Sequence, residues 1–232
     1  MITKEKLIIH CIDNEKLNPL MTLKDEVVEA FLEFYSTNLI IYIKKHKISK
    51  FISFAINNNF KLNVVNKANK INLIHYCCIE KMSGFIQSLI NKGVDANQQD
   101  YKGNTPLHYA ASNSILSLEE LLKNKVDLEI KNLKGETPLF KSLDFKLKGL
   151  NSSVLLKLIN AGSNINAQDN NGDTILFRII SSGIHYNNKA YVVKHILDSG
   201  YNINIKNKYG HDILSQSRFN DKIIYDELNR KI

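Results

Sequence analysis

The sequence has few cysteines, no long apolar run and no recognisable leader. Its 232 residues include three cysteines, two of them adjacent (Cys77 and Cys78), which is too few for a disulfide framework and predicts a reducing compartment. No apolar stretch approaches the roughly 20 residues that cross a bilayer, so no transmembrane segment is predicted. The N-terminus lacks the long apolar stretch and small-residue cleavage site of a secretory signal. We therefore expect a cytoplasmic protein.

Motifs for catalysis and for cofactor binding are also missing from the sequence. There is no phosphate-binding loop of the GxxxxGK[ST] kind, no GxSxG nucleophile elbow and no HExxH zinc motif. Cys77, Cys78 and His75 lie close together in the sequence, but a zinc site needs further ligands at suitable spacing. We assign no catalytic, cofactor-binding or metal-binding residue, and we expect a protein that is not an enzyme.

Acidic residues are absent between positions 36 and 65, although the chain as a whole is only moderately basic, with a net charge of +8. This segment contains five lysines, namely Lys44, Lys45, Lys47, Lys50 and Lys61. The favoured interpretation is a solvated helix face. The alternative is that residues 44–61 bind nucleic acid or anionic lipid.

A short turn motif recurs along the chain. Residues 100–111 read DYKGNTPLHYAA, residues 132–139 read NLKGETPL, and residues 169–176 read DNNGDTIL. A weaker copy surrounds NLIHYCC at 72–78, and a last copy begins at Asn207. Successive copies are separated by 33 residues from His75 to His108, by 32 from Thr105 to Thr137, and by 37 from Thr137 to Thr174. A period near 33 is typical of helical repeat proteins.

Elementary physical chemistry explains the residues of this motif. The Asp or Asn accepts hydrogen bonds from backbone N–H groups of the turn, and the Gly takes a positive φ there. Thr is a helix N-cap, and Pro follows at the first helical position, where its missing N–H costs nothing. The far half of the unit also repeats, as an apolar helix end followed by a turn with Gly or a substitute, and the stretch 55–66 fits this pattern with Asn59 at the Gly place.

Over residues 38–232 the chain resembles the ankyrin repeat family. The resemblance implies an all-α fold with short β-hairpin turns, built as a solenoid of about five to six units with helical caps. It implies that His108 bonds the Thr hydroxyl and that the small pair Ala110–Ala111 lets the second helix pack closely. Residues 1–37, with a predicted helix at 24–35, would cap the stack or form a separate docking segment. Residues 38–232 would form the repeat domain with its C-terminal cap.

Several positions depart from the family pattern. Phe140, Phe177 and Ser215 stand where the family has His, and Cys77–Cys78 stand where it has two small residues. The copies that follow Thr137 and Thr174 contain insertions of about four to five residues, which map to loops. The copy that begins at Asp100 is one residue short.

Because ankyrin repeats act as protein-binding modules, the resemblance implies a partner protein that contacts the variable positions of the turns and of the first helices. Those positions are Tyr101, Lys102, Asn104, Leu133, Lys134, Glu136, Asn170, Asn171, Asp173 and Tyr209 at the hairpin tips, and Ser112, Asn113 and Phe145 on the first helices. We place the centre of the surface at Tyr101, Lys102, Leu133 and Lys134, whose composition suits an acidic partner. A monomer is the default expectation.

The frequent use of Lys, Asn and Ile indicates an AT-rich genome. Together with the diverged repeats, it suggests an effector that an intracellular bacterium or virus directs into the cytoplasm or nucleus of a host cell.

Overall fold

The computed structural model describes residues 4–36, 45–144, 149–150, 152–181, 189–220, 224–225 and 228. The chain folds into two compact units, Met1–Val126 and Asp127–Ile232. This division follows the seventh α-helix that the structure describes, and the expected boundary near residue 37 stays a prediction. As predicted, the fold is all-α, with helix pairs joined by short turns.

The first unit contains seven α-helices among its described residues. They are α1 (Lys4–Asp13), α2 (Lys24–Ser36), α3 (Lys45–Asn57), α4 (Leu73–Ile79), α5 (Ile86–Asn91), α6 (Pro106–Asn113) and α7 (Ile115–Leu122), and short 3-10 helices precede α2 (Asn18–Leu23) and α5 (Ser83–Phe85). The helices α4 and α6 are the first helices of successive repeats and pack against each other.

The helix predicted at 24–35 is α2, and it packs against the first repeats. Phe31 is fully buried between Phe51 of α3 and Tyr76 of α4, with ring centroids 5.0 and 5.2 Å away. The carbonyl of Leu32 accepts a hydrogen bond of 2.7 Å from Nδ2 of the buried Asn66. The role of residues 1–37 as a cap or as a docking segment stays a prediction.

The second unit contains α8 (Ser152–Asn160), α9 (Ile175–Ser181), α10 (Lys189–Asp198) and α11 (Ile213–Asn220). The helix expected after Thr137 is only a 3-10 helix, Pro138–Ser142. The insertion that follows forms two short antiparallel strands, β1 (Leu143–Asp144) and β2 (Gly149–Leu150), with Leu143 opposite Leu150. After Ser142 the chain therefore continues as a short strand pair and not as a helix.

The turns that end the second helices have the predicted conformation. Gly93, Gly162 and Gly200 have φ values of 81°, 97° and 92°, and Asn59 takes the same role with φ 53°. The copy that begins at Asp100 lacks this residue, and there Val126 N–H donates to the carbonyl of Asn124 over 2.9 Å. The missing residue is thus accommodated by a tighter turn.

Candidate functional site

An Asp or Asn side chain fixes each turn tip. Oδ1 of Asp100 accepts hydrogen bonds of 2.8 Å from the N–H groups of Lys102 and Asn104. Asn132, Asp169 and Asn207 each accept the two equivalent bonds in the second unit. The tips are therefore held by side chains as well as by backbone bonds, as the motif predicts.

Neighbouring tips of the second unit are hydrogen-bonded to one another. Asn170 N–H donates to the carbonyl of Lys134 over 3.0 Å, and its Nδ2 donates to the carbonyl of Leu133 over 2.8 Å. Lys208 N–H donates to the carbonyl of Asn171 over 2.9 Å. Three successive tips, 132–136, 169–173 and 207–211, thus form one row of connected backbone, which we call the second-unit tip row.

The first unit has the same arrangement at the tip that begins at Asp100. Tyr101 N–H donates to the carbonyl of Asn69 in the preceding turn over 2.9 Å. The ammonium of Lys102 lies 5.2 Å from the centre of the Tyr101 ring, a cation–π contact. Tyr101 and Lys102 are both exposed. The expected centre of the binding surface is therefore divided between the units, with Tyr101 and Lys102 in the first and Leu133 and Lys134 in the second.

Most of the expected tip residues are exposed. Tyr101, Leu133 and Tyr209 have 55%, 73% and 71% of their surface exposed. The other exposed members of the set are Lys102, Lys134, Asn170 and Asn171. Large apolar side chains on rigid backbone are suited to anchoring a partner.

Three expected tip residues are placed differently. Asn104 is only 9% exposed, and its carbonyl accepts a hydrogen bond from Nε2 of His75. Asn104 therefore contributes to contacts within the protein and little to the exposed surface. Glu136 and Asp173 are half-buried and take part in internal pairs described below. The position of a residue in the turn motif did not reveal these internal partners.

The expected residues of the first helices are less accessible than the tips. Ser112 and Asn113 are half-buried in α6, and the Ser112 hydroxyl lies 3.2 Å from the carbonyl of His108, to which it donates. Phe145 lies outside the described residues.

Acidic side chains of the tips are paired with residues of the following helix. Nε of Arg178 donates to Oδ2 of Asp169 over 2.9 Å and lies 3.6 Å from Oδ2 of Asp173. Lys141 and Glu136 form a salt bridge of 2.5 Å. Burial by itself raises the pKa of Glu136, but the hydrogen bonds from Lys141 and Asn132 outweigh it, and the pKa is lowered. All three carboxylates are therefore paired with cations of the same unit.

The threonines of the turn motif have three different environments. Nδ1 of His108 lies 2.9 Å from the hydroxyl of Thr105, so the tie implied by the resemblance is present. Phe140 replaces this His in the next copy, and there the buried Thr137 hydroxyl has no hydrogen-bond partner among the described residues. Phe177 replaces it again, but the Thr174 hydroxyl lies 2.8 Å from the hydroxyl of Tyr201.

His75 links two repeats as a neutral residue. Its Nε2 donates to the carbonyl of Asn104 over 3.1 Å, and its Nδ1 accepts from the N–H of Asn72 over 3.2 Å. Burial lowers the pKa of His75 to about 4, so the ring carries no charge at neutral pH. The adjacent Cys77 and Cys78 are fully buried, and burial raises the pKa of the Cys78 thiol.

The basic segment is partly neutralised by the end of α1. Lys47 Nζ lies 2.9 Å from a carboxylate oxygen of Asp13, and Lys50 forms a salt bridge with Glu15. His46 lies 3.4 Å from the same Glu15. Lys61 is exposed, whereas Lys44 lies outside the described residues. The stretch that contains no acid in the sequence therefore has acids beside it in the structure.

Metal binding and membrane insertion each require structural features that can be sought in the described part of the chain. Within it, no group of three or more His, Cys, Asp or Glu side chains is arranged to hold a metal ion. None of the helices described there is long and apolar enough to cross a membrane.

The sequence interpretation missed two exposed apolar residues on second helices. Leu116 of α7 and Tyr191 of α10 are each 61% exposed. Both stand five positions before a buried residue of the same helix, Leu121 and Ile196. The helical spacing of the buried residues could have revealed them, because residues five apart do not share one face.

Comparison with known proteins connects this arrangement to a family. The family model described as ankyrin repeats matches residues 39–132 and 73–169, with three copies of the repeat. An ankyrin repeat protein of Rickettsia felis is 31% identical over 117 residues, which is 45% of this chain and 51% of that protein. One of Acanthamoeba polyphaga mimivirus is 40% identical over 76 residues, 32% of this chain and 18% of the relative.

Mouse Rabankyrin-5 is 28% identical over 154 residues, which is 57% of this chain and 13% of that protein. The chain thus spans about half the length of the Rickettsia relative and a smaller share of the other two.

Proposed function

Because the chain belongs to the ankyrin repeat family, and is thus a protein–protein interaction module, we propose that its partner protein binds the exposed turn tips. The observation that carries this proposal is the exposure of Tyr101, Leu133 and Tyr209 on tips whose backbone is fixed by hydrogen bonds. A rigid tip loses little conformational freedom on binding, so apolar contacts there contribute more of their free energy to affinity.

The first helices complete the proposed surface. Ser112 and Asn113 follow the tip of the Asp100 copy along α6, and Phe145 is expected at the corresponding place of the next copy. We assign these three residues a secondary role, because Ser112 and Asn113 are half-buried.

The experiment compares apolar residues at the tips with apolar residues elsewhere. The tip variant carries Tyr101→Ala, Leu133→Ala and Tyr209→Ala. The control variant carries Leu116→Ala and Tyr191→Ala, which remove side chains of comparable exposure from second helices. Proteins captured by each form from a lysate of candidate host cells are quantified by mass spectrometry, and unfolding midpoints confirm that all forms are folded.

We expect the tip variant to lose partners that the wild type and the control variant both retain. Loss of the same partners in the control variant alone would place the binding surface on the second helices and refute the proposal. The smaller variant Tyr101→Ala with Leu133→Ala tests the expected centre of the surface in the same way.

Binding of nucleic acid or anionic lipid through residues 44–61 is the competing function. The salt bridges of Lys47 and Lys50 reduce the charge available for such a ligand. Charge reversal at Lys44, Lys45 and Lys47 should therefore reduce partner capture only modestly. Abolished capture in this variant, with normal capture by the tip variant, would favour the competing function.

We also propose that the module is host-directed and acts in the cytoplasm or nucleus of a host cell. Support comes from the frequent use of Lys, Asn and Ile and from similarity to ankyrin repeat proteins of Rickettsia felis and of a virus of Acanthamoeba polyphaga. A fusion with a reporter enzyme that is active only in host cytoplasm tests delivery directly. Absence of the reporter signal from infected cells, with the fusion retained in the producing organism, would contradict this role.

A further inference from the structure

We propose that the second-unit tip row binds an acidic peptide segment that carries an apolar anchor residue. This inference rests on the proposed function and names the chemical class of the partner at that surface.

The first step concerns the acidic side chains of the row, which are directed inwards. Asp169 is buried and bonded to Arg178, and Glu136 is bonded to Lys141. Asp173 accepts a hydrogen bond of 3.0 Å from Nδ2 of Asn207 and also faces Arg178. These carboxylates therefore present little negative charge to a ligand outside the protein.

The second step concerns the basic side chains, which are directed outwards. Lys134 and Lys208 are exposed, and neither forms a salt bridge with a residue that the structure describes. They belong to the two outer tips, and both tips are hydrogen-bonded to the middle tip through Asn170 and Asn171. Two exposed cations are thus held on one connected stretch of backbone, and Lys134 also interacts electrostatically with Glu136.

The third step concerns the apolar neighbours of these cations. Leu133 precedes Lys134 and is 73% exposed, and Tyr209 follows Lys208 and is 71% exposed. Between them the middle tip presents the neutral amides of Asn170 and Asn171, both exposed. A ligand with alternating acidic and apolar groups would satisfy the cations and bury the apolar side chains.

A peptide fits this surface better than single-stranded nucleic acid, which is also anionic. Proteins that bind single strands stack successive bases on aromatic side chains. The row has two exposed rings, those of Tyr209 and His211, but both stand on a single tip with centroids 6.5 Å apart, and the other large exposed apolar residue is the aliphatic Leu133. Leucine can fill an apolar contact in a protein partner but provides no stacking surface.

The experiment selects dodecapeptides from a random display library on the full chain. The test variant carries Lys134→Glu and Lys208→Glu. The control variant carries Lys125→Glu and Lys194→Glu, which change the net charge equally at exposed lysines away from the tips. Dissociation constants of synthetic peptides are measured for each form at low and physiological salt, beside a fluorescent single-stranded 20-nucleotide probe.

We expect selected peptides to be enriched in Asp and Glu around an apolar residue. The test variant should bind them about tenfold more weakly and the control variant within about twofold, with affinity falling as salt increases. Three results would each overturn the proposal. The first is that the selected peptides show no enrichment of acidic residues, and the second is that both variants bind the peptides equally weakly. The third is that the wild type binds the oligonucleotide more tightly than the peptides and that only the test variant loses this oligonucleotide binding.

The two proposals fail in different ways. Charge reversal at Lys134 and Lys208 could leave partner capture unchanged while the alanine substitutions of the tip variant abolish it. In that case the partner does not bind through an acidic segment, but the proposed binding surface is still correct. If neither variant changes capture, the proposed surface itself is wrong.

Discussion

Valine substitution should affect stability differently at three threonines that share one position of the turn motif. Thr105, Thr137 and Thr174 are each at most 1% exposed, and valine has nearly the same shape. Their hydroxyl groups differ in their partners, which are His108 for Thr105, no described residue for Thr137, and both Tyr201 and the Phe177 N–H for Thr174. The comparison of Thr137 with Thr174 therefore measures what the hydrogen-bond partners of one hydroxyl contribute to stability.

The expected magnitudes follow from these partners. Thr174→Val removes the bond to Tyr201, leaves that buried hydroxyl unpaired and removes the oxygen that accepts from Phe177 N–H over 3.3 Å. We expect a loss of about 2 kcal/mol in the free energy of unfolding, because an unpaired buried polar group costs about 1–3 kcal/mol. Thr137→Val removes a hydroxyl that has no described partner, so it should be neutral or stabilise by up to about 1 kcal/mol.

Urea denaturation followed by circular dichroism measures both variants. Thr137 and Thr174 lie in the second unit, so the same unit is compared in each case. Tyr201→Phe is the matched control, and the double variant Thr174→Val with Tyr201→Phe should lose less than the two single losses combined. A loss of stability in Thr137→Val as large as that in Thr174→Val would show that the unpaired hydroxyl is wrongly assigned.

Three further predictions concern stability and are measured by the same denaturation. Phe140→Ala should lower the free energy of unfolding by about 3–5 kcal/mol, because it removes a large buried side chain. His108→Ala should lower it by about 1–2 kcal/mol, because buried polar groups lose a hydrogen-bond partner. Near-zero changes for both would contradict the burial assigned to these two residues. Because burial lowers the pKa of His75 to about 4, the unfolded chain binds its proton first as pH falls. Stability from His75 is therefore complete above about pH 6.5 and should fall by about 2 kcal/mol from pH 7 to pH 5, a trend that His75→Gln removes. Gly172→Ala should lower the free energy of unfolding more than Gly210→Ala, although both glycines have φ 77°. A Cβ added at Gly172 would lie 2.8 Å from the backbone N of Lys208, whereas no described atom lies within 4 Å of a Cβ added at Gly210. Equal losses of stability would contradict the contact between the two tips.

The sequence alone determined the features that depend on local chemistry. An Asp or Asn six residues before a helix start, with Gly between, specifies its turn through bonds that span at most four residues. The positive φ of Asn59 was predictable for the same reason, since its position in the repeat requires that conformation. Recurrence of these local signals at spacings of 32 to 37 residues was sufficient to predict the fold.

Tertiary structure decided the features that depend on distant partners. Tyr201 replaces the missing His as the partner of Thr174, although 27 residues separate them, and Asp13 neutralises Lys47 across 34 residues. The carbonyl of Asn104 is occupied by His75 of the preceding repeat, so a tip position expected at the surface is buried. Which side chains remain free for a partner depends on pairs formed between repeats, and the energy of such a pair depends on a distance that no single repeat specifies.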